Sequence, residues 1–384
     1  MFKNQYEQEK LMANEVIKDL VSQKFRLAGI DINQNNRSGI QVHDQRFYET
    51  VWNEGSLGLG ESYMNGWWDA ERVDEFIYHI LKADLESTIK PNFKQLFQLS
   101  KYLLFNLQSK KRALIVGKKH YDIGNDLFIK MLDKRMAYSC AYWKNASNLD
   151  EAQEAKLELI CQKLYLKPGM RILDIGCGWG SFAKYAAEKH HVEVVGITIS
   201  QQQLELAKEL CKELPVTLRF QDYRDVNDMF DRIVSIGQME HVGYKNYRTY
   251  MQTAYRCLKN DGIFLLHTIG SNKTTKKSDP WIEKYIFPNG MVPSAEQLTQ
   301  AANGLFIFED WHNFGAYYDK TLMAWHDNFV RNWDSLKAHY DERFYRMWTY
   351  YLLSCAGAFR SRDLQLWQIV FVKKGIPGGY ISVR

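Results

Sequence analysis

The sequence contains no Cys-x-x-Cys pair and no spacing of cysteine and histidine that suits a structural zinc site, so no metal is expected. The six cysteines are far apart, which favours the reducing cytoplasm over a secreted disulfide scaffold. No stretch approaches the roughly 18 consecutive apolar residues that a membrane span requires, and the first residues lack the apolar centre of a secretory signal. We therefore expect any membrane contact to be peripheral.

Acidic residues are also missing from residues 87–119, although the chain of 384 residues has a net charge of only +5. Lysine and arginine alternate there with phenylalanine and leucine, and such a basic amphipathic segment suits an anionic lipid surface. A solvated linker helix that packs on its own protein is an open alternative. Nucleic acid is not expected as a partner, because no recognised binding motif accompanies the charge.

The residues that follow show a regular alternation of short apolar runs and helical segments. Five runs predict successive strands: RILDIG, VEVVGIT, VTLRFQDY, FDRIVSIG and GIFLLHTIG. This alternation predicts an α/β fold, a doubly wound and Rossmann-like parallel sheet with helices on both faces. Beyond Asn303 the aromatic-rich sequence predicts helices, closed by one more strand in LWQIVFVKK. We predict three parts: a small mixed α/β domain over residues 1–105, a basic linker over 106–119 and a catalytic domain over 120–384.

A glycine-rich turn follows the first of these strands. Gly176, Gly178 and Gly180 have the spacing G-x-G-x-G, which differs from the G-x-G-x-x-G that places a pyrophosphate on a helix N-terminus. Asp174 precedes the glycines, and its carboxylate suits a ligand with a positive end, such as the amino group of S-adenosylmethionine. A tight packing turn between strand and helix is the alternative interpretation. Gly180 is expected to open the helix and not to touch the ligand.

Three further strand ends are expected to surround a nucleoside at the same edge of the sheet. Thr198 ends the second strand, Asp222 the third and Ile236 the fourth. The second strand lacks the terminal carboxylate that commonly holds a ribose. Thr198 and Gln203 would have to substitute for it.

Eight motifs along the chain are more specific than the glycine turn: HYDIGNDLF, YSCAYW, LDIGCGWGSFAKYAA, GITIS, SIGQMEHVG, LLHTIG, YIFPNG and FEDWHNFGAYYDKTLMAW. With them the chain resembles the cyclopropane-fatty-acyl-phospholipid synthases over nearly its full length. The resemblance implies a class I methyltransferase sheet with helical lid insertions. It implies addition of a methylene from S-adenosylmethionine across a cis double bond of an unsaturated phospholipid, by a cytoplasmic homodimer at the inner face of the membrane.

The resemblance also implies two sets of site residues. The cofactor-binding set, with Asp174 added from the argument above, is Tyr138, Ser139, Gly176, Gly178, Thr198, Gln203, Asp222 and Ile236. The second set would hold a bicarbonate ion that removes the proton: Cys140, Glu240, His267, the backbone of Ile269, and Tyr318. Histidine, tyrosine and a backbone amide can donate to an oxyanion, and a glutamate can accept the hydroxyl proton of bicarbonate. Cys140 is expected as a small buried side chain and not as a nucleophile.

Two other functions remain open at this point. The same fold serves methyltransferases that act on mycolic acids or small amines, although residues 1–105 favour a phospholipid. The second alternative is not an enzyme: it is a lipid-binding or scaffold protein that retains the cofactor without turnover. The chemistry implied by the resemblance also needs a site that excludes water and tolerates positive charge, which the aromatic C-terminal region can supply.

Overall fold

The computed structural model describes residues 2–34, 39–85, 106, 108 and 124–384. The chain forms two compact units. Unit 1 comprises Met1–Lys101, Asp279–Phe287 and Trp333–Asp363, and unit 2 comprises Tyr102–Ser278, Pro288–Asn332 and Leu364–Arg384. The predicted domain boundaries, at residues 105 and 119, lie outside the described residues and stay predictions, and of the basic segment only residues 106 and 108 are described. Unit 1 also includes two segments from late in the sequence.

The elements are numbered in chain order. The helices are α1 (Phe2–Leu27), α2 (Arg46–Glu54), α3 (Ser56–Met64), α4 (Val73–Lys82), α5 (Asn125–Met131), α6 (Leu149–Lys163), α7 (Ser181–His190), α8 (Gln201–Cys211), α9 (Tyr247–Cys257), α10 (Pro280–Tyr285), α11 (Ala295–Ala302), α12 (Ala316–Leu336) and α13 (Glu342–Arg360). The strands are β1 (Gln41–Val42), β2 (Trp68–Asp69), β3 (Arg171–Ile175), β4 (Glu193–Thr198), β5 (Val216–Phe220), β6 (Phe230–Ile236), β7 (Leu258–Ser271), β8 (Ile307–Asn313) and β9 (Leu364–Val372). No helix within these described ranges is both long and apolar enough to span a bilayer.

Unit 1 is held together by an aromatic core. Trp68 is fully buried, packs against Phe76 and Tyr63 at ring-centroid distances of 5.0 Å, and donates from Nε1 to the Ser62 hydroxyl. The late helix α13 contributes Tyr350, whose ring lies 5.5 Å from that of Tyr63. Large aromatic side chains that also satisfy their polar atoms stabilise a small unit effectively, because they bury much apolar area at little hydrogen-bonding cost.

Unit 2 contains a seven-stranded sheet in the order β5-β4-β3-β6-β7-β9-β8. The first five strands of that order are parallel neighbours. Side chains on alternate sides of β3 enter different cores: Leu173 and Ile175 pack on one face of the sheet and Ile172 on the other. The predicted Rossmann-like α/β fold is therefore confirmed, and the carboxyl ends of four parallel neighbours, β5, β4, β3 and β6, meet at one edge.

Two sequence predictions about this sheet are wrong in detail. The sheet is not wholly parallel, because β9 runs antiparallel to both β7 and β8. Residues 307–313 form the strand β8, although the aromatic content beyond Asn303 favoured helix. Buried Asp310 in β8 pairs with Arg384 and lies 3.7 Å from the buried ammonium of Lys163, so tertiary contacts override the local pattern.

Candidate active site

The glycine turn between β3 and α7 has three residues with positive φ, which glycine adopts without strain. The angles are 83° at Gly176, 55° at Gly178 and 82° at Gly180. Gly180 is the N-cap of α7, as the sequence suggested. A Cβ atom at Gly176 would collide with the Gln238 side chain, whereas one at Gly178 would meet nothing within 4 Å. The turn therefore presents bare backbone to open space at Gly178, which suits close approach of a ligand.

Asp174 in β3 is a buried carboxylate with an unused oxygen. The residue is 2% exposed, and its Oδ2 has no hydrogen-bond partner within the described part of the chain. Burial raises the pKa of Asp174 to about 7, against the opposing charge of Lys156. An unpartnered buried acceptor costs free energy unless a ligand completes it. The observation fits the sequence prediction of a ligand with a positive end.

Two of the three predicted strand ends lie where the sequence placed them, and the third strand ends two residues before Asp222. Thr198 is the last residue of β4, and its hydroxyl lies 3.4 Å from Gln203 Oε1. Ile236 is the last residue of β6. Asp222 follows β5 by two residues, and both of its oxygens already accept hydrogen bonds from Arg224. The edge of the parallel sheet therefore brings these residues together with the glycine turn.

The segment of residues 137–140 is fastened by side chains of α6 that the sequence analysis missed. Gln153 Nε2 donates to the carbonyl oxygens of Ala137 (3.2 Å) and Ser139 (2.9 Å). Lys156 Nζ donates to the Ser139 hydroxyl at 2.9 Å. Gln153 and Lys156 are fully buried and three residues apart, on one face of the helix. The sequence offered no signal for them, because polar residues at that spacing are equally typical of a solvated helix face.

Tyr138 belongs to an aromatic cluster. Its ring lies 5.1 Å from Phe128, 6.4 Å from Trp179 of the glycine turn and 5.2 Å from Trp325 of α12. Trp325 also contacts Tyr318, at 5.9 Å in an edge-on arrangement. The cluster thus joins a predicted cofactor residue, Tyr138, to a predicted anion ligand, Tyr318.

Cys140 is completely buried and its thiol donates to the Ala141 carbonyl at 3.3 Å. Burial raises the pKa of this thiol, so it stays protonated at neutral pH, as expected for a residue that is not a nucleophile. The Ala141 amide donates to Thr321 Oγ1 at 3.1 Å. Thr321 lies one turn after Tyr318 on α12, so this bond fixes the Cys140 segment against the helix that carries Tyr318.

Glu240 lies in the 3₁₀ turn Met239–His241, directly after β6. Its Oε1 accepts a 2.7 Å hydrogen bond from the amide of Ile269, while Oε2 is buried and has no partner among the described residues. Burial raises the pKa of Glu240 to about 7, although the Ile269 bond opposes the shift. The Ile269 amide, which the resemblance implied as a donor to the anion, donates in this structure to Glu240 instead, and the second carboxyl oxygen is left for another group.

His267 lies beside Ile236 in the register of β6 and β7. Gln368 Nε2 lies 3.2 Å from His267 Nδ1, and the buried Nε2 has no partner in the part of the chain described. Burial and the charges of Lys156 and Lys163 lower the pKa of His267 well below its usual value. With Nδ1 accepting from Gln368, the proton of the neutral ring is on Nε2, which becomes a donor. The sequence analysis missed Gln368, which lies in β9 and meets His267 only through the pairing of β9 with β7.

Contacts join the five residues predicted to hold an anion in two groups. The Ile269 amide binds Glu240, and His267 lies two residues before Ile269 on β7. The Cys140 segment is bonded to the helix that carries Tyr318. Glu240 and His267 each carry one buried polar atom without a partner among the described residues. Within the described ranges, no group of three or more histidine, cysteine or acidic side chains could hold a metal ion. The site offers an acceptor and a donor next to the sheet edge that carries the glycine turn.

Comparisons with known proteins show the family to which the chain belongs. The family described as "Mycolic acid cyclopropane synthetase" matches residues 108–369. The cyclopropane-fatty-acyl-phospholipid synthase of Escherichia coli strain K12 is 58% identical over 357 residues, which is 93% of each chain. Cyclopropane mycolic acid synthase 2 of Mycobacterium leprae is 35% identical over 67% of this chain and 92% of its own.

Solved structures give the same result. The mycolic acid cyclopropane synthase CmaA1, solved in complex with SAH and CTAB, has a TM-score of 0.63 and 33% identity. The match covers 67% of this chain and 97% of CmaA1. The shared fold therefore includes nearly all of that protein, and about a third of this chain lies outside the match.

Proposed function

This chain belongs to the mycolic acid cyclopropane synthetase family and is an S-adenosylmethionine-dependent methyltransferase, and on that premise we propose its substrate and its base. We propose that it adds a methylene to the cis double bond of an unsaturated acyl chain in a membrane phospholipid and forms a cyclopropane ring. A bound bicarbonate ion is the proposed base. The 58% identity with a cyclopropane-fatty-acyl-phospholipid synthase over 93% of the chain supports the choice of substrate.

One structural observation carries the proposal of an anionic base. Glu240 Oε2 and His267 Nε2 are both buried and without partners among the described residues, and they are attached to neighbouring elements, the turn after β6 and the strand β7. Most buried polar atoms in proteins are hydrogen-bonded, so unpaired ones at a site point to a missing ligand. The pair consists of one acceptor and one donor, which a hydrogencarbonate ion satisfies with its hydroxyl group and an oxygen.

The residues at the sheet edge fit S-adenosylmethionine. The unpartnered Oδ2 of Asp174 suits the positive amino group, and the open space at Gly178 admits a ligand against the backbone. Thr198 and Ile236 end the strands on either side of β3. Asp222 follows β5 by two residues, and Gln203 of α8 lies beside Thr198. When bound, the cofactor supplies an electrophilic methyl group.

The protein residues around the anion then have separable tasks. Glu240 accepts through Oε2 and is fixed by the Ile269 amide at Oε1. Neutral His267 donates from Nε2 and is oriented by Gln368. We assign Tyr318 as a further donor and Cys140 as a small buried neighbour. A dry site strengthens each of these hydrogen bonds, because little water competes for them.

The aromatic cluster suits the charge that this chemistry develops. An alkene that accepts a methyl group becomes positive at carbon, and ring faces stabilise a cation without bonding to it. The rings of Tyr138, Trp179 and Trp325 connect the glycine turn to α12. They also replace water, which would quench a cation.

Three further parts of the proposal concern the setting of the reaction. We propose that residues 1–105 associate with lipid, that residues 106–119 form a basic linker and that residues 120–384 catalyse the reaction. We also propose that the protein is a homodimer that acts from the cytoplasm on the inner face of the membrane. Two docking surfaces in one dimer would raise its residence time on a bilayer through avidity.

The test uses purified full-length protein, vesicles of a monounsaturated phospholipid and methyl-labelled S-adenosylmethionine, with bicarbonate present or depleted. Mass spectrometry should show a gain of one CH₂ per modified acyl chain, the gain should resist hydrogenation, and it should weaken without bicarbonate. A product that hydrogenation changes would be a methylated alkene and would contradict ring formation. No product on any phospholipid would favour an amine or mycolic acid substrate, or a protein that binds the cofactor without turnover.

A further inference from the structure

Helix α6 contains two lysines whose side chains are almost completely buried, Lys156 and Lys163. Burial of an ammonium group is expensive, so each needs compensating partners. Lys163 has them away from the glycine turn, in His312 (3.0 Å to Nδ1) and Asp310 (3.7 Å). Lys156 donates instead to Ser139, in the segment that carries three of the predicted site residues.

We propose that Lys156 is a positioning residue for cofactor binding, which fixes the Ser139 hydroxyl and places a positive charge close to Asp174. This assignment depends on the proposed function in one respect: the site beside Lys156 must be the one that binds S-adenosylmethionine. Lys156 is not assigned contact with the substrate or the reacting atoms. It acts through Ser139 and through the charge of Asp174.

The hydrogen bonds to the segment divide between two side chains of α6. Gln153 holds the backbone of the segment by donating to the carbonyls of Ala137 and Ser139. Lys156 adds a bond to the side chain of Ser139, which the backbone contacts do not control. Gln153 already anchors the backbone of the segment. Lys156 instead fixes the orientation of the Ser139 hydroxyl, which is a predicted cofactor contact.

The charges around Lys156 give it a second effect. The titratable groups near it are Asp133, Cys140, Asp174 and His267. Asp133 is already satisfied by backbone amides of Arg135 (2.8 Å) and Ala137 (2.9 Å), whereas Asp174 keeps one oxygen unpartnered. The ammonium lowers the pKa of Asp174 against the larger effect of burial. Lys156 thereby keeps a larger share of Asp174 ionised at neutral pH, which is the form that attracts an amino group.

The experiment measures binding of S-adenosylhomocysteine to the full chain by calorimetry, from pH 6 to pH 9. We expect Lys156→Met to weaken binding about tenfold near neutral pH, the loss typical of one charge-assisted hydrogen bond. Without the ammonium the pKa of Asp174 rises, so the acid limb of the binding profile should move to higher pH. The deficit should narrow towards pH 9, because burial lowers the pKa of Lys156 to about 8 and the parent then loses the same charge. Lys163→Met, which removes an equally buried lysine of the same helix, is the matched control and should bind within about twofold of the parent without a shift.

Two more variants separate the two effects. Lys156→Gln can still donate to Ser139 but has no charge, so it should recover part of the affinity and keep the displaced acid limb. Ser139→Ala combined with Lys156→Met should be less than additive, because the two residues share one bond.

Three results would overturn the proposal: an unchanged acid limb in both Lys156 variants, additive losses, or an equal effect of Lys163→Met. If Lys156→Met does not fold, the acid limb of Lys156→Gln and the affinity of Ser139→Ala still test the proposal. Binding needs no lipid, so these outcomes are independent of whether a ring product forms.

Discussion

Two buried aspartates, one in each compact unit, have pKa values that are shifted in opposite directions. Asp74 of unit 1 is 1% exposed and is paired with Arg72 and Arg360, at 2.5 and 2.6 Å. Burial alone would raise its pKa, but the hydrogen bonds from the two arginines lower it. Asp174 of unit 2 is 2% exposed, has an unpartnered oxygen, and burial raises its pKa to about 7. A buried charge that is fully paired serves the fold, whereas one left unpaired is available to a ligand.

The comparison predicts its largest effect at the other unpartnered carboxylate, Glu240. Glu240→Gln should lower the rate of methylene transfer at least 100-fold, because the amide cannot take up the hydroxyl proton of the anion. The thermal midpoint should stay the same or rise, since the variant no longer buries a titratable acid. Mass spectrometry of labelled phospholipid gives the rate, and calorimetry with S-adenosylhomocysteine controls for the cofactor site. Turnover within tenfold of the parent would remove Glu240 from the mechanism.

The paired aspartate should show the reverse behaviour. Asp74→Asn leaves the guanidinium groups of Arg72 and Arg360 without their buried partner, so we expect a loss of about 3 kcal/mol in the free energy of unfolding. The fraction that remains folded should bind S-adenosylhomocysteine within about twofold of the parent. Urea denaturation and calorimetry measure the two quantities. A variant that is stable but does not bind would break the comparison, because Asp74 would then serve the site.

The pH dependence of stability should have opposite signs at the two aspartates. The folded pKa of Asp74 is lowered, so its stabilisation is complete above the unfolded value of 3.8 and is lost as the pH falls through the folded pKa. The folded pKa of Asp174 is raised to about 7, so ionisation destabilises the fold as the pH rises from 3.8 to 7, by at most about 1.4 kcal/mol per pH unit.

Thermal melting of the parent and two variants between pH 3 and pH 8 tests these signs. Asp174→Asn should gain stability relative to the parent as the pH rises from 4 to 7, and the gain should then level off. The deficit of Asp74→Asn should shrink as the pH falls below 4. Parallel curves for the parent and Asp174→Asn would show that Asp174 titrates normally.

The same contrast explains how far the sequence predicts this molecule. Runs such as RILDIG predict the parallel strands correctly, because strands buried on both faces are apolar throughout. The strand β8 is different: it lies at the sheet edge, and polar residues such as Asp310 and His312 interrupt its pattern. Its partners, Lys163 and Arg384, are remote in sequence, so no local pattern could have indicated the strand.

The candidate site divides in a similar way. Residues within motifs, such as Asp174 and Glu240, are predictable from the chain itself or from its resemblance to a family. Residues that support them are not, because a lysine such as Lys156 on a buried helix face looks like one on a solvated face in a single sequence. Only the fold shows that Lys156 faces Ser139 and that Gln368 faces His267. Buried polar partners depend on tertiary contacts, and those contacts join residues far apart in sequence.

The smallest predicted effect concerns two glycines, one in each unit. A Cβ at Gly60 would collide with the Trp281 ring in unit 1, so Gly60→Ala should cost about 1–3 kcal/mol of stability through overpacking. Gly178 has open space around its Cβ position and a φ of 55°, so Gly178→Ala should cost only about 1 kcal/mol of backbone strain. Its methyl group would instead occupy the space proposed for the cofactor. Gly178→Ala should therefore weaken S-adenosylhomocysteine binding, whereas Gly60→Ala should not. Equal affinities in the two variants would show that the cofactor does not occupy the open space at Gly178.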